Sequence, residues 1–524
     1  MATRCGAVSE QRPPRLSYVQ LANIPRRYRP DIDPASRAVR MVHLGIGAFH
    51  RAHQAVYTDA SGDWGIYGVT QRSAGVVDQL APQDGLYTLV VRDRDETMLR
   101  LIGAVRAVVF AGTDPNAVVQ KMADPAVSVV STTVTEKGYH HDPVTATLQF
   151  DDAEIAADLA GRPPRTVVGQ LAAAVAARAA AQAPGLTVLC CDNIPANGAF
   201  LGELVQSFLE RSSYPATALA WLAANVAFPS TMVDRITPAS TPADRALVAH
   251  ELGVDDDGAV VTEPFTQWVI ENRFAGPRPQ WEHAGALLVP EVAPYEQLKL
   301  RVLNGSHSAL AYLGGLAGYP TVDAAIADPE LASFVRCFMR YDVVPTLVTP
   351  TGVDLGQYQR DVLDRFANPS LGYRTAQVAM DGSHKLPQRI LATIRDRRRA
   401  GSDPVFAALV VAAWMRHIAG GLDDDGRPFA PDDPMLDQLQ AQIGSATAAA
   451  TVVERLLQVE TVFGDLVDDD WFRTALTQLL EDLQHHRVVD VVRALTVGAM
   501  VAPTTEMTKT QAVPTTPVDG AALS

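Results

Sequence analysis

The feature that most restricts the fold is the run Arg40-Met-Val-His-Leu44-Gly-Ile-Gly47-Ala-Phe49-His-Arg51. A short apolar stretch ends in two glycines one residue apart, and a helical pattern, Ala48 to Tyr57, begins at once. In a strand–turn–helix unit such glycines let the backbone approach a pyrophosphate, and the free N–H groups at the helix start make an anion site. Gly45 and Gly47 are therefore candidates for a dinucleotide site. The third glycine of the usual G-x-G-x-x-G is missing, since His50 stands there, and a G-x-G by itself is as often a structural turn. Arg51, one turn into the helix, reads either as a phosphate contact or as a solvated side chain.

A second strand, Trp64 to Thr70, is where an adenosine ribose would be read. An NAD-selective domain offers Asp or Glu at its end, but here Thr70-Gln-Arg72-Ser follows, with Arg72 available for a 2′-phosphate. Strand-like runs recur at Leu86–Val91, Leu99–Val109, Val127–Thr135 and Leu186–Cys191, interleaved with helical patterns near 115–123 and 167–182. This alternation predicts an α/β fold with a mostly parallel sheet and helices on both faces. Open sheets of this kind bind ligands beyond the carboxyl ends of their strands. That edge holds Glu136 and Lys137 after one strand and Asn193 after another, although Asn193 could equally cap the helix that follows. Asp234 and Arg235 sit in an apolar, Pro-bounded segment and read most simply as an ion pair. Thr262 to Glu271 reads as one more strand.

After Pro290 the pattern turns helical to about residue 500. The expected organisation is a mobile tail at 1–14, a Rossmann-type domain at 15–288, a helical domain at 289–502 and a mobile tail at 503–524. The second domain opens on Lys299-Leu-Arg-Val-Leu-Asn304-Gly-Ser-His307, which puts an amine, a carboxamide and an imidazole into an apolar segment. On an α-helix, at about 100° per residue, Asn304 lies roughly 140° from Lys299 with His307 between them. Crowding by Leu298, Leu300, Val302 and Leu303 would desolvate Lys299 and lower its pKa toward that of a general base. The alternative is an amphipathic helix whose Lys and His face water. A second polar concentration runs from Asn368 through Asp381 and Lys385 to Arg389.

A net charge of −15 provides no footprint for nucleic acid or an anionic membrane. Four cysteines without C-x-x-C spacing suggest neither a disulfide framework nor zinc, which fits a reducing cytoplasm. Neither a signal pattern nor an apolar run of spanning length is evident. The Asp triplets at 255–257, 423–425 and 468–470 lack the spacing of a calcium loop, and no metal site is expected.

Five motifs occur together and in order: Gly45-Ile-Gly-Ala-Phe-His-Arg-Ala-His53, Cys191-Asp-Asn-Ile-Pro-Ala-Asn-Gly198, Met232-Val-Asp-Arg-Ile-Thr-Pro238, Glu263-Pro-Phe-Thr-Gln-Trp268 and Lys299-x4-Asn304-x2-His307. In this the chain resembles the mannitol dehydrogenase family, the polyol-specific long-chain dehydrogenases, over about residues 38 to 490. The resemblance implies a Rossmann domain followed by a helical substrate domain, and hydride transfer with a nicotinamide cofactor and no metal. It implies Lys299 as catalytic base, Asn193 and Asn304 holding the reacting oxygen, and Asp234 and His307 as substrate contacts. Lys137, from the carboxyl edge of the sheet, and Lys385, from the helical domain, are also expected near the substrate, where two cations suit a carboxylate. Cofactor contacts are implied at Gly45, Gly47, Phe49, Arg51 and Glu136. Gln377, where mannitol 2-dehydrogenases tend to carry Arg, and Thr135-Glu-Lys137-Gly-Tyr, where they tend toward Thr-Glu-Gly-Gly-Tyr, resemble the fructuronate reductase (mannonate oxidoreductase) branch, as does Met380 to Arg389.

The expected reaction is therefore NAD-dependent reduction of fructuronate to mannonate, with NADP not excluded. Mannitol 2-dehydrogenase and mannitol-1-phosphate 5-dehydrogenase are the alternatives, and a catalytically silent NAD sensor is a reading of another class. The partner is a small sugar alcohol or sugar acid, and the oligomeric state is left open.

Overall fold

The structure, a computed structural model, describes residues 13–501 apart from 143 and 144. The tails expected at 1–14 and 503–524 lie outside the described residues except for Pro13 and Pro14. Pro14 is held in place, because its carbonyl accepts a hydrogen bond from the Asp255 N–H at 2.9 Å.

Six parallel strands form the main sheet: β1 (Ala38–Leu44), β2 (Trp64–Thr70), β3 (Val105–Phe110), β4 (Val129–Thr132), β5 (Leu186–Cys190) and β6 (Val226–Ala227). Their spatial order, β3-β2-β1-β4-β5-β6, is the doubly wound Rossmann order. Alternation along β1 sends Val42 and Leu44 into the core on one face of the sheet, with Leu171, Leu204 and Phe208. Met41 goes to the other face, with Ile66, Trp268 and Trp281. Apolar side chains thus cover both faces, as a parallel sheet requires.

Two expected strands are each divided between sheets. Leu99–Val109 breaks at Gly103-Ala104, so that Thr97–Ile102 pairs with Tyr87–Arg92 in a three-stranded sheet while Val105–Phe110 is β3. Gly103 makes the break possible, since a Cβ there would stand 2.5 Å from Pro34. Thr262–Glu271 likewise divides at Glu263-Pro264 into Val260–Thr262 and Gln267–Glu271, which belong to two different small sheets. Hydrophobic periodicity reports burial and not which partner strand supplies the hydrogen bonds, so neither break is visible in it. The helix expected over Ala48–Tyr57 also breaks, at His53, into Ala48–Ala52 and Gln54–Ala60.

From Ala293 to Val501 the described residues form helices and turns with one two-stranded ribbon, Gly421–Leu422 with Pro428–Phe429. Val405–Ala419 is buried almost throughout and packs on Asp470–His485 around Phe334, Phe338 and Trp414. Among the described residues no helix is long and apolar enough to cross a membrane.

The turn after β1 is built on Gly45, whose φ of +98° suits glycine alone. Its N–H donates to the Val69 carbonyl at 2.8 Å. Beneath the turn, His43 places Nδ1 2.7 Å from Ser131 Oγ and Nε2 2.8 Å from Thr133 Oγ1, and its ring stacks on that of His50 at 3.4 Å. His50, which replaces the third glycine, therefore closes the helix–strand contact with an aromatic ring. Burial lowers the His43 pKa to about 3 and holds that of His50 well below its ordinary value, so both rings stay neutral. A Cβ on Gly45 would stand 2.1 Å from the Thr133 carbonyl oxygen. Gly45→Ala should therefore cost well over 1 kcal/mol of stability, roughly the upper limit of an ordinary glycine effect. A lowered urea midpoint would show this, and an unchanged midpoint would mean that the turn relaxes without cost.

Candidate active site

Three cavities run in series past the carboxyl ends of β1, β2, β4 and β5. An outer groove of about 590 Å³ is lined by Gly45, Gly47, Thr70–Ser73 and Thr133–Thr135. It shares Thr135 and Lys137 with a passage of about 380 Å³. The passage shares Asn193, Asn304, Lys385 and Arg389 with an inner cavity of about 300 Å³. The inner cavity also takes in Asp234, Lys299 and His307. Residues from the sheet and from the helical domain thus converge where the last two cavities meet.

Lys299 is 5% exposed, and its ammonium donates to Asn193 Oδ1 at 2.6 Å. Asn193 is therefore engaged with the amine and caps no helix. Burial lowers the Lys299 pKa to about 8, with Arg389 and Arg365 acting the same way and Asp234 opposing. His307 is also buried and lies against Phe366, ring centres 5.1 Å apart; burial lowers its pKa to about 3, so it is a neutral donor or acceptor.

The segment bearing these groups is not a uniform α-helix. Lys299–Asn304 is a π turn between the α-helical Ala293–Leu298 and Gly305–Ala309, and the Gly305 N–H bonds back to the Leu300 carbonyl five residues earlier. In a π turn residues five apart come into register, so Asn304 stands one wide turn beyond Lys299 on the same face. The separation of roughly 140° expected for an α-helix is corrected accordingly. Asn304 Oδ1 is buried without a hydrogen-bond partner, an acceptor left for a ligand hydroxyl.

Asp234 pairs with Arg365, not with its neighbour Arg235. Arg365, on helix Leu355–Phe366, donates to both Asp234 oxygens at 2.8 Å and to both Glu263 oxygens at 3.0 and 2.8 Å. Burial alone would raise the Asp234 carboxyl, but Arg365 outweighs it and holds the pKa below the ordinary value. For Glu263 burial prevails and the pKa is raised. Arg235 spends its guanidinium on the carbonyls of Ala52 and Glu263.

Three residues expected as cofactor contacts do not line the outer groove. Arg51 is 6% exposed and donates to the carbonyls of Gly47 and Gly258, which turns it into the protein and away from the groove. Phe49 lines the inner cavity, and Glu136 lines the passage. Lys137, expected at the substrate, lines the outer groove and the passage but not the inner cavity. Lys385 does reach the inner cavity, while tying its own loop through the Met380 carbonyl at 2.6 Å and Asp381 at 3.7 Å.

Besides Arg365, sequence reasoning passed over three residues. Asp192 accepts from the N–H groups of Val134 and Thr135 and from the Tyr139 hydroxyl, which holds the loop with Thr135 at φ +69°. Glu296 is one turn before Lys299, and burial raises its pKa to about 7. Arg389 belongs to a second π turn, Pro387–Leu391, packed on the first. Asp192 lies inside a quoted motif, Glu296 just before another and Arg389 at the end of the Met380 to Arg389 stretch, but only burial marks them out.

The chain matches the model of the mannitol dehydrogenase Rossmann domain over residues 39–283 and that of the mannitol dehydrogenase C-terminal domain over 291–484. It belongs to the mannitol dehydrogenase family. Among relatives, it is 40% identical to a mannitol 2-dehydrogenase of Pyrenophora tritici-repentis, over 91% of this chain and 84% of that protein. It is 39% identical to the D-mannonate oxidoreductase of Escherichia coli strain K12, over 89% of this chain and 98% of that one. The solved Pseudomonas fluorescens mannitol 2-dehydrogenase, a ternary complex with NAD and D-mannitol, superposes with a TM-score of 0.83 at 37% identity, covering 92% of this chain and 99% of that one. As an oxidoreductase of the mannitol dehydrogenase family, the chain has its helical region tied through Arg365 to two small sheets of the N-terminal region, at Asp234 and Glu263.

Arg365→Ala would leave two carboxylates buried without a counter-ion. A loss of about 3–5 kcal/mol in unfolding free energy is expected. Chemical denaturation measures it, and a loss below about 1 kcal/mol would mean that the carboxylates find other partners.

Proposed function

We propose that the protein is an NAD-dependent oxidoreductase that interconverts a six-carbon ketouronate, fructuronate, and its aldonate, mannonate. The observation that carries this reading is the buried Lys299 amine, 2.6 Å from Asn193 Oδ1 where the passage meets the inner cavity. The NAD-binding region is residues 15–288 and the substrate domain 289–502.

The outer groove fits a dinucleotide. Its glycine turn lies at the carboxyl edge of a doubly wound sheet, and its volume suits an extended ligand. NAD, when bound, supplies the hydride acceptor. In the oxidative direction, hydride leaves the carbinol carbon and the hydroxyl proton passes to the neutral Lys299 Nζ. Asn193, whose Oδ1 is taken by Lys299, retains its NH2 as a donor, and Asn304 is the second amide beside the forming carbonyl oxygen. His307, neutral and fixed against Phe366, contributes a hydrogen bond to a neighbouring hydroxyl. In the reductive direction the same ammonium returns its proton to the oxygen.

The acid substrate is supported by the cations that line the inner cavity in a chain with a neutral Gln377 at its wall. A second reading, oxidation of mannitol to fructose, is supported by the Pseudomonas fluorescens enzyme solved with D-mannitol. A substrate comparison decides between them, since a higher kcat/KM for fructose than for fructuronate rejects the acid reading.

Two further outcomes follow from Lys299. Alcohol oxidation needs the free amine and so rises as pH increases through about 8, whereas ketone reduction needs the ammonium and falls over the same range. Profiles of kcat/KM in both directions should mirror each other, and parallel profiles would remove Lys299 from proton transfer. Lys299→Ala should lower kcat by about 10² to 10⁴ while NADH still binds. A variant keeping more than a tenth of the activity would exclude the base role.

A further inference from the structure

We propose that Arg389 is the residue that binds the terminal carboxylate of the substrate. This rests on the sugar-acid reading above and deepens it.

Four cationic side chains line the inner cavity: Arg235, Lys299, Lys385 and Arg389. Arg235 is committed to backbone carbonyls, Lys299 to Asn193, and Lys385 in part to Met380 and Asp381. Arg389 has one hydrogen bond from its side chain, Nη1 to Ser308 Oγ at 3.3 Å, and no ion pair among the described residues. Arg365, in the wall of the same domain, makes four hydrogen bonds to two carboxylates. A guanidinium has five N–H donors, and one that is partly buried with four of them unused is built to receive an anion. Burial lowers its pKa, with the charges of Glu136 and Asp381 acting only from outside hydrogen-bond range.

Its position is as constrained as its chemistry. A Cβ on Gly305 would stand 3.1 Å from the Arg389 carbonyl oxygen, so the two π turns touch next to Asn304. Arg389 faces both the passage and the inner cavity, beside the two amides of the reacting centre. A carboxylate at the end of a six-carbon chain, with its carbonyl between Asn193 and Asn304, can accept two parallel N–H bonds from Arg389. Lys385, one helical turn earlier, adds a second positive charge. Arg389 thereby takes the place in the inner cavity that the sequence suggested for Lys137.

The test compares wild type, Arg389→Gln and Arg389→Lys on fructuronate, fructose and fructose 6-phosphate, with NADH affinity followed by fluorescence. Arg389→Gln should lower kcat/KM for fructuronate about 10- to 100-fold more than for fructose, mainly through KM, because charge-assisted hydrogen bonds are the strong ones. Arg389→Lys should recover part of that ratio. An equal loss on both substrates would show that Arg389 only supports the Asn304 turn, and a larger loss on fructose 6-phosphate would assign it to a phosphate. Either result overturns the proposal. A wild type that does not reduce fructuronate removes the sugar-acid reading itself, whereas a wild type that does, with an unchanged ratio in Arg389→Gln, removes Arg389 alone. If Arg389→Gln fails to fold, the ratio in Arg389→Lys decides: a selective loss on fructuronate supports the assignment and a uniform one overturns it.

Discussion

One guanidinium holds the geometry of the site together. Asp234 ends one strand and Glu263 follows another, and each would be a buried carboxylate without a counter-ion if Arg365 did not reach across from helix Leu355–Phe366. An unpaired buried charge is so unfavourable that the helix has only one position in which all three groups are satisfied. The same helix carries Phe366, and Phe366 holds the ring of His307. The placement of a neutral imidazole in the inner cavity thus traces back to an ion cluster on its wall.

The second constraint is backbone geometry. An α-helical segment would turn Asn304 away from Lys299, and the π turn brings them onto one face. A second π turn, Pro387–Leu391, packs against the first, and Gly305 lets the two backbones approach. Wide turns satisfy fewer local contacts than regular helix, so they persist where tertiary packing surrounds them. That packing also removes water from the Lys299 amine, which is what brings its pKa to about 8. Structure and proton chemistry here have one cause.

Much of the architecture was legible in the chain. Apolar runs ending in glycine or polar residues, separated by helical patterns, mark β1, β2, β4 and β5, because a strand buried on both faces must be apolar throughout. The divided strands were not legible, since burial is the same whichever sheet a residue joins. Lys299, Asn193 and Asn304 stood out as polar groups in apolar surroundings, and they come together. Arg51 misled because a phosphate contact and a bond to a buried carbonyl look identical in sequence. Arg365 was invisible: it lies 131 residues from Asp234 and 102 from Glu263, in an ordinary amphipathic helix.

By itself, then, the sequence determined the class of fold, the order of the two regions and the chemical types that gather at the candidate site, because these follow from local pattern and composition. Only the tertiary structure decided which arginine neutralises Asp234, which face Asn304 presents and which cation keeps donors free for an anion. Those outcomes depend on desolvation and on partners distant in the chain, and neither quantity exists until the helical region closes over the carboxyl edge of the sheet.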